Sequence, residues 1–210
     1  MIKARLSEAE VSKLKHLASS AASSATTMLC LIALELKALE ALVVSVLYAF
    51  PLIVSSKYSI KIHRNVSVNI GSLSPIIMSL AQVALLSKLI PLHTYAILVA
   101  ASSIVTWTSS NYIEGAGIGV HILVPTLTAS STSAIYVELL KAKPILSAPI
   151  AYSVSALSIL IGADIVAAAP FYLKGSEVEV GGKGSLDLIT LSPTLSSLLS
   201  VALVYLQYGI

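Results

Sequence analysis

Charge is scarce in this sequence. Only 11% of its 210 residues are Asp, Glu, Lys or Arg and 56% are apolar, where soluble domains carry about 25% charged residues. With a mean hydropathy of +0.91, neither a water-soluble globule nor a disordered tail fits, and the chain reads as an integral membrane protein. Cysteine is nearly absent too. The one thiol, Cys30, lies in an apolar run, which excludes an internal disulfide framework and a cysteine metal cluster. The four histidines, His16, His63, His93 and His121, show no metal-ligand spacing, and no HExxH occurs. The glycine-rich "VGGKGS" lacks the spacing of a phosphate loop. No metal, cofactor or nucleic acid is expected. Thirteen Lys and Arg against ten acidic residues give a formal charge of +3, which suits loops facing lipid headgroups. Aspartate is the scarcer acid, present only as Asp164 and Asp187.

What fills the sequence is a series of Ala-, Ser- and Leu-rich stretches, each long enough to cross a hydrocarbon layer of about 30 Å. Seven helices are expected, over 17–35, 39–55, 69–87, 92–109, 119–139, 146–169 and 187–207. The first two are separated by "ELKALE" alone. A continuous helix there would measure about 58 Å, too long for one crossing, so a tight hairpin is expected. Residues 1–16 form an amphipathic lead-in and 17–210 a single transmembrane domain. A cleaved signal peptide fits poorly, because Glu8 and Glu10 sit in the charged region and the small residues precede the apolar core.

Seven crossings place nine Lys and Arg on the side of the N-terminus and four, Lys37, Lys88, Lys141 and Lys143, on the other. Positive-inside bias then makes the first side cytoplasmic, in a multi-pass protein of the cell membrane. Should the first segment not cross, the balance becomes eight to five with the opposite sense. Two loops on the side assigned to the cytoplasm, "KYSIKIHRNVSV" at 57–68 and "FYLKGSEVEV" at 171–180, alternate apolar and polar positions around turn residues, the signature of hairpins. The two are expected to pair or abut. The fold class is thus all-α integral membrane: a polytopic bundle of about seven helices with two short β-hairpins on one face.

Three helices entering from that face share a design. "NIGSLSP", "GAGIGVHILVP" and "GGKGSLDLITLSP" each place a proline six residues after Asn69, Gly119 and Asp187, at Pro75, Pro125 and Pro193. Proline inside a helix deletes a donor and frees a carbonyl, and in lipid the freed groups need a polar partner. A shared polar cavity follows, lined by Asn69, Pro75, His121, Pro125 and Pro193. Asp164 lies five apolar residues before Pro170, within the hydrocarbon or at its edge. Insertion scales set about 2.5–3.5 kcal/mol against an aspartate at a helix centre, and a helix C-terminus is electrostatically unfavourable to it as well. Asp187 sits in the first turn of the last helix, where capping alone accounts for it. Yet both carboxyls belong to the same end of antiparallel neighbours. Two carboxyls that meet at low dielectric cannot both ionise, which leaves one as acid and one as base. Gly162, Gly182 and Gly184 would let backbone and an extended substrate approach them.

At "VSVNIGSLSP", "GAGIGVHILVPTL", "APIAYSVSALSILIGADI" and "VGGKGSLD", taken in that order, the chain resembles a prokaryotic multi-pass membrane family catalogued as domain of unknown function sixteen-fourteen. The likeness covers roughly residues 45 to 207 and implies no activity. A second, weaker likeness is to intramembrane aspartyl proteases of the presenilin and signal-peptide-peptidase type. It implies catalytic roles for Asp164 and Asp187, a strand-bearing loop at 171–180, and a membrane peptide as substrate. "GKGSLD" departs from the Gly-x-Gly-Asp motif by two extra residues, and no tyrosine precedes the first aspartate. Three readings stay open: an aspartyl-protease-like site, a transporter or ion- or proton-coupled carrier of a small solute, and a non-catalytic membrane assembly subunit. The lipid bilayer is a partner in all three.

Overall fold

The computed structural model describes residues 8–54, 58–113, 117–180 and 187–208. The helices are α1 (Glu8–Ala33), α2 (Ala38–Val54), α3 (Ile70–Leu86), α4 (Leu92–Thr108), α5 (Leu123–Leu139), α6 (Ser147–Ile159), α7 (Ala169–Leu173) and α8 (Leu188–Tyr208). A π-helical segment, Leu160–Ala167, joins α6 to α7. Strands β1 (Ser59–His63), β2 (Val66–Asn69), β3 (Ser110–Ile113), β4 (Gly117–Val120) and β5 (Val178–Val180) lie between helices at one end of the bundle. Two helical stretches, Pro144–Leu173 and Leu188–Gln207, are long and apolar enough to cross a membrane; three others, Ala38–Ile53, Ile70–Leu86 and Leu92–Thr108, are apolar but shorter. The expected turn between the first two helices is present at residues 34–37, while α1 runs unbroken through residue 17.

The interior is hydroxylic and the exterior apolar. Buried polar side chains are almost all Ser or Thr, whereas Leu47, Phe50, Ile77, Ile97, Ile135 and Leu206 lie exposed on helix faces. Helix α6 occupies the centre: every residue of it except Leu157 is buried, against α1, α3, α4, α5 and α8. Small residues let these backbones approach, and hydroxyls bond where apolar chains would only pack. Many simply donate one turn back, as Ser79 does to the Pro75 carbonyl at 2.6 Å and Ser103 to that of Val99 at 2.7 Å. Others join helices. Ser192 of α8 shares hydrogen bonds with Thr126 of α5 at 2.9 Å and Ser155 of α6 at 2.8 Å. A second chain runs from Thr194 to Ser23 (3.1 Å), Tyr48 (2.6 Å) and Tyr152 (2.7 Å), tying α8, α1, α2 and α6. Interhelical bonds of this kind average ~0.6 kcal/mol. Ser192→Ala, which loses two, should therefore lower unfolding stability by about 1 kcal/mol, measurable by thermal unfolding in detergent.

At the opposite end, α1 and α5 finish without glycine. Glu35 (φ 67°) and Lys141 (φ 50°) take the left-handed conformation, closed by Leu36 N–H to the Leu31 carbonyl and Ala142 N–H to that of Val137, both at 3.1 Å. Left-handed backbone costs a residue with a Cβ roughly 1–2 kcal/mol, so Lys141→Gly should raise stability by about 1 kcal/mol in the same assay. Lys143 donates to Glu35 at 2.8 Å, and that bond holds the Glu35 carboxyl below its ordinary range and lifts the Lys143 ammonium. Whatever this exposed pair contributes is present above the ordinary glutamate pKa and fades as pH falls through the lowered one.

The sheets correct part of the sequence reading. The 57–68 hairpin forms, with Ile60 opposite Val68. Loop 171–180 is not a hairpin. Its first residues are helical in α7, and only β5 is extended, pairing in parallel with β2 so that Val68 faces Val180. The expected meeting of the two loops is thus real, in the sheet order β1-β2-β5. The second hairpin is β3-β4, with Ser110 opposite Val120. Gly119 consequently belongs to a strand, α5 starts at Leu123, and Pro125 falls in its first turn, where a missing N–H costs nothing. Of the three, Pro75 and Pro193 do lie inside a helix, as Pro51 does in α2.

Those two belong to a repeat. "NIGSLSPIIMS" (69–79) and "DLITLSPTLSS" (187–197) align residue for residue. Each follows one of the paired parallel strands. Asn69 Oδ1 accepts from Gly71 N–H at 2.9 Å, and Asp187 Oδ1 accepts from Ile189 N–H at 3.0 Å. Ser79 donates to the Pro75 carbonyl as Ser197 does to that of Pro193, at 2.6 and 2.9 Å.

Candidate functional site

The π-helical segment "LIGADIVA" begins the site. Pro170 has no N–H with which to continue the α-helical ladder, and Gly162 lacks the side chain that would stiffen it. Single π turns of this kind collect at functional positions. Gly162 does more than loosen the helix. A Cβ placed there would lie 2.5 Å from the Ser103 carbonyl oxygen and 3.1 Å from Trp107 N. Its bareness is used by the backbone of α4, the close backbone approach expected of this glycine.

Two residues on, Asp164 is partly buried, and its Oδ2 meets no hydrogen-bond donor among the described residues. Its neighbour Ala163 packs with Ile159 and Ile189, and Ile76, Ile118, Val120 and Leu188 close around them. The π segment that carries Asp164 packs against α4, α6 and the β3-β4 hairpin. Asp187 is half-buried at the start of α8, its Oδ1 on Ile189 N–H and its carbonyl on Thr190 and Leu191 N–H, each at 3.0 Å. It is a cap, as the plainer reading had it. It is also near enough for its charge to act on Asp164. Both aspartates lie toward the hairpin-bearing end, Asp164 in the π segment that packs on β3 and β4 and Asp187 at the start of α8.

The connector between them is pinned to both hairpins. Phe171 of α7 stacks on Tyr112 of β3, ring centroids 4.2 Å apart at 16°. The Tyr172 hydroxyl shares a hydrogen bond with His63 Nδ1 of β1 at 3.0 Å. Asn65, in the β1-β2 turn, donates to the Gly175 carbonyl at 3.0 Å while its own carbonyl accepts from Val178 N–H at 2.8 Å. Gly175 has φ +85°, a conformation that suits only glycine well. None of these pins was foreseen, and the only local signal was "KGSE".

Of the other expected residues, Asn69 is buried and caps α3. Pro75, Pro125 and Pro193 all point inward. They border the hydroxyl network: Thr126 follows Pro125 and Ser192 precedes Pro193. His121 does not join them. It is exposed between β4 and α5, and its Nδ1 accepts from Leu123 N–H at 3.4 Å, so the expected cavity does not reach it. Gly182 and Gly184 lie outside the described residues. No group of three or more His, Cys, Asp or Glu side chains suited to a metal ion occurs among the described residues.

Residues 24–199 match the family model described as a protein of unknown function (DUF1614). No curated protein and no solved structure matches the chain.

Proposed function

This chain belongs to the DUF1614 family of proteins of unknown function, and from that premise we propose that it is a seven-span bundle of the cell membrane, hairpins and N-terminus toward the cytoplasm, that works through an Asp164–Asp187 carboxyl pair. The inversion of hydroxylic interior and apolar exterior supports the bilayer setting. The single observation that carries the chemistry is the buried Asp164 oxygen without a donor, with a second aspartate within electrostatic reach. Two carboxyls so placed in low dielectric hold one proton between them. The ionised member takes a proton from water, which then attacks a peptide carbonyl. The protonated member gives its proton to the carbonyl oxygen, and collapse of the resulting diol returns a proton to the leaving amine. Peptide hydrolysis at the membrane surface is the reaction this pair suits. β5 is an edge strand of its sheet and leads toward Asp187, which supports an extended peptide as substrate.

A second reading follows from the cap. With Asp187 engaged at the start of α8, Asp164 alone is uncommitted, which is what a proton-coupled carrier of a small solute needs. The deciding experiment uses protein reconstituted in vesicles with single-span peptides as substrates. The proposal expects cleavage by the native protein and none by Asp164→Asn or Asp187→Asn. Intact peptide together with Asp164-dependent proton uptake would favour the carrier, and neither activity would reject both.

A further inference from the structure

The three-stranded sheet sorts its side chains by face. Ile60 stands opposite Val68 and Val68 beside Val180, with Val66 and Val178 on the same side, while Lys61, Ser67 and Glu179 form a row on the other. The polar face is tied across β2, where Ser59 donates to the Glu179 carboxylate. The apolar face is covered at one end only. Val68 and Val180 are buried where the sheet meets α3, and the Ser72 hydroxyl of that helix is shared between the Asn69 and Val180 carbonyls at 2.8 and 3.4 Å. Val66 and Val178 are half-buried. Farther out, alternation sets Tyr58 and Ile62 on the side of Ile60, away from Lys61. No described residue covers these three, which stay 62%, 67% and 49% exposed in the order given.

Two observations say what covers them. The face continues the apolar exterior of the bundle: Ile53 in the last turn of α2 and Ile77 of α3 are both exposed, β1 follows α2 after residues 55–58, and β2 runs into α3 with no residue between. The other is tyrosine. Tyr58 and Tyr112 are both exposed at this end, and tyrosine is the side chain that collects where a bilayer meets water. Reach then decides how the sheet lies. Along the strand, Ile60 and Ile62 are about 7 and 13 Å from the level at which α3 starts, whereas the headgroup layer is about 5–8 Å thick on each side. An upright sheet would lift Ile62 clear into water. A sheet lying along the surface keeps both isoleucines at lipid level and turns Lys61 outward.

We propose that the β1-β2-β5 sheet is a lipid-binding surface, lying along the bilayer with Tyr58, Ile60 and Ile62 set into the boundary between headgroups and acyl chains and with Lys61 and Glu179 in water. An element with one apolar and one charged face sinks the apolar one into that boundary. The partner is the bilayer surface itself. The inference rests on the bilayer setting proposed above, and it is independent of what the aspartates do.

Cysteine accessibility on the full chain tests this, because Cys30, the one native thiol, is wholly buried. Ile60→Cys, Lys61→Cys, Ile62→Cys and, on the outer face of α3, Ile77→Cys all replace exposed side chains, so the core packing is kept. Each variant is placed in nanodiscs of phosphatidylcholine and phosphatidylglycerol, which leave both faces open, and treated with a charged, water-soluble maleimide or with a lipid-soluble one. Lys61→Cys should react readily with the charged reagent, Ile60→Cys and Ile62→Cys several-fold more slowly, and the lipid-soluble reagent should reach both of these. Ile77→Cys should resist the charged reagent. Equal rates at 60, 61 and 62 with Ile77→Cys still protected would overturn the seating of the sheet and leave the bilayer setting intact. Protection of 60 and 62 from both reagents would overturn it as well, since protein would then be the cover. Ready reaction of Ile77→Cys with the charged reagent would remove the bilayer setting and this inference with it.

Discussion

Asp187→Asn is expected to leave the bundle folded while lowering peptide cleavage about 10²–10⁴-fold, the range that general acid–base groups supply. The substitution separates two duties of one side chain. As a cap, Asp187 accepts from Ile189 N–H, and an asparagine oxygen accepts equally well; the chain already uses Asn69 in the matching place at the start of α3. As half of an acid–base pair, it must exchange a proton, which an amide cannot. Asp187→Ala removes both duties and should additionally cost about 1 kcal/mol of stability. Cleavage rate and unfolding temperature measured on the two variants together check this. Equal loss of stability in both would mean that Asp187 is not acting as a cap of the kind seen at Asn69.

Gly162→Val should be the most damaging substitution to the fold itself. The obstacle to a side chain there is backbone: the Ser103 carbonyl at 2.5 Å and Trp107 N at 3.1 Å. A flexible neighbour would rotate away, but α4 has to move as a unit. Even the single methyl of Gly162→Ala calls for such a shift, at about 1–3 kcal/mol for overpacking, and the two further carbons of valine should exceed that. Thermal unfolding of both variants, ranked native above Ala above Val, is the expected result. Because the π segment carries Asp164, displaced α4 packing should also reduce activity beyond the stability loss.

The helices were legible because each writes its own apolar run into the sequence. The 57–68 hairpin was legible for the same reason, with Ile60 and Ile62 alternating with polar residues before the turn at Arg64 and Asn65. Loop 171–180 misled, since its alternation was taken for a local pairing, whereas β5 finds its partner in β2 across more than a hundred residues. Phe171 and Tyr172 are instead held in α7 by Tyr112 and His63, contacts no local pattern encodes. The β3-β4 hairpin escaped notice because "SNYIEGAGIGV" is rich in glycine, and its existence moved the start of α5 and with it the depth of Pro125. Scarcity made the aspartates conspicuous. The serines that organise the interior were hidden by abundance: nothing in the local sequence distinguishes Ser192, which bridges three helices, from Ser102, whose hydroxyl meets no partner among the described residues.

Because Asp164 and Asp187 are the only aspartates, labelling the carboxyl carbon of aspartate with ¹³C marks this pair and nothing else. A dipolar recoupling measurement on the labelled protein in bilayers reads their separation directly. A resolved carbon–carbon coupling, abolished when either residue becomes asparagine, is what a shared acid–base site predicts. Two isolated carboxyl signals with no coupling between them would contradict it.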